Sequence, residues 1–137
     1  MRQLIHSASL HSLEERLIAA NIDPIAFFRF QAWESLGPIL DDWIEEASDG
    51  LAQALVASVS VLDFSRAIID GGFSLEVRRR LVALVREKAG ASDLQGLSPF
   101  EISEGSIGAN ARTMGAASPP FFSRFLLDQK VLFKGDA

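Results

Sequence analysis

Chemistry is most plausible in the stretch Ala67-Ile68-Ile69-Asp70-Gly71-Gly72-Phe73-Ser74. A short apolar run reads as a buried strand, the glycine pair as a turn, and Ser74 as the N-cap of a following helix. Such a junction holds backbone N–H groups where a nucleotide or another anion could come close. Glycine suits it because a Cβ would block the approach or forbid the backbone conformation. Gly71, Gly72, Phe73 and Ser74 are therefore the candidate cofactor-binding residues. Spacing alone fits more readily a tight strand-to-helix turn with no ligand, since glycine commonly serves turns.

Other chemistry-bearing residues offer less. His6 and His11 are five apart, whereas metal ligands on one helical face sit three or four apart and need further partners. Asp41, Asp42, Glu45, Glu46 and Asp49 lack the alternating oxygen spacing and fixed glycine of a calcium loop, so they read as a solvated acidic face. Arg78, Arg79 and Arg80 form a basic patch with Arg86 and Lys88, but the three consecutive arginines spread over about 200° of helix surface and do not converge on a phosphate. They read as a solvated basic face, paired in part with the acidic first half. No nucleophile elbow accompanies either histidine, so Ser-His-Asp catalysis has no support. No catalytic residue, metal site or resident cofactor is expected.

These residues need elements to position them. Ser12-Leu13-Glu14-Glu15 reads as a capping box, followed by an apolar stripe of Leu13, Leu17 and Ile18. Asp23 before Pro24 caps a second short helix through Phe27, Phe28 and Phe30. From Ile39 to Leu62, apolar residues recur at three- and four-residue steps. The half from Leu51 onward carries almost no charge and is expected to end buried all round. Ala67–Ile69 is the first strand, Leu75–Lys88 an amphipathic helix ended by Gly90, and Phe100–Ser103 a half-buried second strand. Gly108–Ala117 reads as a small-residue helix, and Pro119-Pro120 leads into Phe121, Phe122, Phe125 and Leu126, with Leu132 and Phe133 further on. The expected class is α/β, helix-rich with a small sheet, in one domain or part of one. A helical segment covers 1–62, a strand, turn, helix, strand and helix cover 63–128, and a tail covers 129–137. Two strands are few for a free-standing sheet. Completion by other sequence or by a partner copy, most simply a homodimer, is therefore expected.

Composition sets outer bounds. The 137 residues are 48% hydrophobic and 23% charged, within the globular range and outside the disordered one. Residues 1–65 carry 3 basic and 10 acidic side chains against 10 and 8 in the remainder. The acidic first half argues against direct nucleic-acid binding, which needs clustered Lys and Arg. No apolar run reaches the ~18–20 residues of a membrane span, and no secretory leader is evident. The absence of cysteine excludes disulfides and thiolate zinc within this chain and fits a cytoplasmic location.

Two segments resemble the ROK family (repressors, open reading frames and sugar kinases). Leu62-Asp63 followed by Arg66-Ala67-Ile68-Ile69-Asp70-Gly71-Gly72-Phe73-Ser74 is similar to that family's strand and glycine turn, which follow a buried Ala/Leu-rich helix. Ile107-Gly108-Ala109-Asn110-Ala111-Arg112-Thr113-Met114-Gly115-Ala116-Ala117 resembles its closing helix. The resemblance spans roughly residues 8–128 and implies the C-terminal part of an actin-like, ribonuclease-H-like ATPase lobe. In the family's kinases the equivalent of Gly71–Ser74 lies along the adenosine side of the ATP site. Asp70 departs from the family's usual small residue, and a carboxylate there would repel phosphate and crowd the turn. Phe64 stands where the family often has proline.

The family's phosphate loop, catalytic aspartate, main sugar contacts and cysteine-rich zinc motif would all lie upstream, as would the repressor branch's winged helix. The resemblance thus implies a non-catalytic C-terminal portion of a sugar-responsive transcriptional regulator, serving assembly and effector response. The alternatives are the C-terminal lobe of a sugar kinase, contributing to an ATP site, and an unrelated α/β interaction domain.

Overall fold

The structure, a computed structural model, describes residues 4–92, 94–110 and 115. Among the described residues, five α-helices and two strands follow in the order α1 (Leu4–Ser7), α2 (Leu10–Ala19), α3 (Pro24–Phe30), α4 (Pro38–Leu62), β1 (Arg66–Ile69), α5 (Leu75–Gly90) and β2 (Glu101–Glu104). Short 3-10 turns lie at Trp33–Leu36 and Gly108–Asn110. The class is helix-rich mixed α/β with a two-stranded parallel sheet. Among the described residues no helix is long and apolar enough to cross a membrane. The rest of the expected Gly108–Ala117 helix, apart from Gly115, and the Phe121–Phe133 cluster lie outside the described residues.

Local signals explain most element starts. Asp23 Oδ1 accepts from Ile25 N at 2.9 Å with Pro24 in the first turn, and Ser74 Oγ accepts from Val77 N at 3.2 Å. The first cap differs from expectation. α2 starts at Leu10, and Ser9, not Ser12, caps it by accepting from Ser12 N at 3.2 Å. Ser12 is instead a buried residue of the helix, where its Oγ donates to Ser9 O and accepts from Trp43 Nε1 at 3.1 Å. The buried indole needs an acceptor, and both Ser12 Oγ and the Ser9 carbonyl, 3.2 Å away, supply one.

The core gathers Leu13, Leu17, Trp43, Ile44, Val77, Val82 and Val85, all essentially inaccessible. Each such side chain contributes about 1.5–3 kcal/mol through burial. Phe27, Phe28 and Trp33 stack edge to face beside it, with centroids 5.0–6.2 Å apart.

α5 runs alongside the first half of α4. Arg80 pairs with Asp41, and Lys88 reaches both Glu45 and Asp49 at 2.7 Å. Burial opposes the Lys88 charge, but hydrogen bonds to those two carboxylates hold its ammonium above the usual lysine range.

This arrangement reverses one expectation. The acidic first half of α4 packs the core, whereas the uncharged second half is only partly covered, ending at Val61 and Leu62, 81% and 71% exposed. The helix alongside it ends at Gly90, near Asp49, so α4 continues past its partner. Ile18 is likewise exposed, not part of the buried stripe.

The strands pair with Arg66 opposite Glu101, Ala67 opposite Ile102, Ile68 opposite Ser103 and Ile69 opposite Glu104. Ile69 and Ile102 are buried, while Ile68 is 65% exposed. β1 is thus covered on one face only, where a continuous apolar run suggested burial on both.

Candidate functional site

Both parallel strands end at the same place, and α/β folds bind ligands outside the carboxyl ends of such strands. β1 leads there into Asp70-Gly71-Gly72-Phe73, and β2 into Gly105-Ser106-Ile107-Gly108. Gly105 N donates to Ile69 O at 2.8 Å, so the ladder continues one step into the second loop.

The Asp70 carboxylate sits between the two loops. It accepts from Gly71 N at 2.8 Å, Ile107 N at 2.8 Å and Gly108 N at 3.1 Å. Arg78 Nη2 lies 3.1 Å from Asp70 Oδ1, and Arg78 Nη1 donates to Gly105 O at 2.6 Å. The Gly108 amide, opposed by partial burial and supported by the Gly71 and Ile107 amides and the Arg78 charge, holds Asp70 below its usual carboxylate range. Three converging amides and a guanidinium make an anion-binding nest. The anion in it is the chain's own aspartate.

Glycine is required at two points of this nest. Gly108 has φ +55°, and a Cβ there would lie 2.7 Å from Arg78 Nη2. Gly105 has no positive φ, but a Cβ there would lie 2.4 Å from Asp70 Cβ, far inside van der Waals contact.

The four candidate residues fall around this nest, the Gly71 amide inside it and the side chains of Phe73 and Ser74 committed elsewhere. Gly71 gives its amide to Asp70. The Phe73 ring folds back over Gly71 and packs edge-on to Trp43, centroids 6.2 Å apart. Ser74 spends its hydroxyl on the α5 cap. Gly72 has room, the nearest atom to an added Cβ being a Leu10 methyl at 3.6 Å. The turn is therefore a packed strand-to-helix junction closed by an internal ion pair.

Arg78 does not share the solvated face expected for it with Arg79 and Arg80: it is 5% exposed. A signal for this exists, because Arg78 stands at steps of three, four and seven from the buried Leu81, Val82 and Val85. The expected pairing of basic and acidic faces is seen for Arg80 and Lys88. Arg86 Nε instead donates to Ile102 O at 2.7 Å, tying α5 to β2. His11 lies 3.4 Å from Glu14, and no group of three potential metal ligands occurs among the described residues.

An apolar cleft of about 530 Å³ lies at the other end of α5, lined by Ala89, Leu94, Leu97, Phe100 and Ile102 with Arg86 at its wall. It holds none of the candidate residues. No protein-family model matches the chain, and no curated protein matches it significantly.

Proposed function

We propose that this chain is the C-terminal, non-catalytic portion of a ROK-type, sugar-responsive transcriptional regulator. It works in the cytoplasm, in assembly and effector response, and its strands belong to an actin-like sheet. The observation that carries this reading is the Asp70 carboxylate, which takes the amides of Gly71, Ile107 and Gly108 together with Arg78. A turn that served ATP would keep such donors for phosphate, and a fixed carboxylate beside them repels one.

Two further features support the reading. The exposed Ile68 face of β1 and the unpaired outer edges of both strands, among the described residues, suit a sheet completed by more of the same protein or by a second copy. The uncovered end of α4 at Val61 and Leu62 adjoins that face in sequence. Sugar recognition and operator binding would reside upstream, so this chain alone binds neither sugar nor nucleic acid.

A thermal-shift titration with Mg-ATP, and separately with hexoses and N-acetylhexosamines, tests the proposal. A ligand at a hundred times its dissociation constant adds about 2.7 kcal/mol, several degrees for a chain this size. No shift with ATP is expected. A saturable ATP shift would overturn the non-catalytic reading in favour of a kinase lobe. Sedimentation over a range of concentrations tests self-association, and a concentration-independent monomer mass would count against the homodimer.

A further inference from the structure

We infer that the loops following β1 and β2 form a small-oxyanion site that Asp70 occupies as a built-in ligand, and that removing this side chain exposes a site for a free carboxylate. The inference stands on the geometry of the two loops and does not depend on the family reading.

The nest has the parts of an oxyanion receptor. Two loops more than thirty residues apart aim three backbone N–H groups at one carboxylate, at 2.8, 2.8 and 3.1 Å. A buried arginine supplies the countercharge at 3.1 Å. Arg78 Nε is also buried with no hydrogen-bond partner among the described residues. Arg78 is also held by its bond to Gly105 O, and Gly105 N donates to Ile69 O, so the two loops stay side by side through contacts that do not involve the Asp70 side chain. Asp70 itself is partly open to water, its side chain 24% exposed, so an ion arriving from solvent has a path.

Fit selects the ligand class. The Asp70 side chain beyond Cα is one methylene and one carboxylate, which is acetate less a hydrogen. Gly105 closes tightly on that methylene, since an added Cβ at Gly105 would lie 2.4 Å from Asp70 Cβ. The space left by Asp70→Gly therefore suits acetate or formate. Phosphate and sulfate, which are larger and tetrahedral, bind only if the loops part.

The test measures the melting temperature of the full chain carrying Asp70→Gly while titrating sodium acetate, with sodium chloride at matched ionic strength as the reference. Acetate is expected to raise it saturably by several degrees in the millimolar range and to leave the unsubstituted chain unmoved, because its site is already filled. Asp70→Asn, which keeps the volume and loses the charge, is expected to show no acetate response. Equal effects of acetate and chloride on Asp70→Gly would overturn the inference, as would an equal acetate response in the unsubstituted chain. If Asp70→Gly does not fold in chloride, its refolding yield in acetate reads the same question: recovery supports the site, and equal loss in both salts refutes it. A parallel phosphate titration decides size, with a response stronger than acetate's refuting the carboxylate fit.

Discussion

Arg78 and Arg80 are two residues apart on α5 and carry the same charge, yet their removal should have very different consequences. Arg78 is 5% exposed, pairs with Asp70 and donates to Gly105 O. Arg78→Ala strips the countercharge from Asp70, leaves the Gly105 carbonyl without that donor and opens a void beside Gly108. Removing one partner of a buried ion pair costs about 3–5 kcal/mol. The Asp70 side chain is 24% exposed and keeps three amide donors, so water and backbone offset part of this. The expected loss is about 2–4 kcal/mol after that discount.

Arg80 pairs with Asp41 at the surface, the two side chains 42% and 59% exposed. Its replacement by alanine should cost about 0–1 kcal/mol, as exposed pairs do. Urea denaturation followed by the fluorescence of Trp33 and Trp43 reads both. With a slope of about 1.5 kcal/mol per molar urea, the Arg78→Ala midpoint should fall by about 1–3 M and the Arg80→Ala midpoint by well under 1 M. Midpoints for the two variants within experimental scatter of each other would refute the assignment of Arg78 to a buried latch.

The same loops give two more expectations. Gly108→Ala combines a left-handed backbone with a Cβ 2.7 Å from Arg78 Nη2 and should cost about 2–3 kcal/mol, whereas Gly96→Ala, at φ +79° but with nothing within 4 Å, should cost about 1 kcal/mol from backbone strain alone. Equal destabilisation of the two in urea would show that the contact with Arg78 does not matter. For pH, Asp70 has a folded-state pKa below its ordinary 3.8. Its charge therefore contributes stability above that value and loses it as pH falls through the lowered one. The stability difference between the unsubstituted chain and Asp70→Asn should be flat from pH 7 to about 5 and shrink only in strongly acidic solution, below 3.8. A difference that already vanishes near pH 5 would contradict the sign of the shift.

Local order was legible in the sequence because it is encoded locally. The three- and four-residue recurrence marked α4 and α5, and Asp23 and Ser74 marked helix starts through their side-chain oxygens. Both strands were found within a residue of their bounds, and the glycine turn was recognised as the place where backbone amides converge. The tertiary structure decided which donors and acceptors meet. Asp70 finds amides thirty-seven and thirty-eight positions away, and Arg78 a carbonyl twenty-seven away, distances over which residue type carries no register. Ser9 takes the cap, and Ser12 lies inside the helix with its hydroxyl accepting from the Trp43 indole, thirty-one residues on. The apolar end of α4 is exposed for a similar reason: periodicity shows which residues seek cover, but only the length and placement of α5 show which of them receive it.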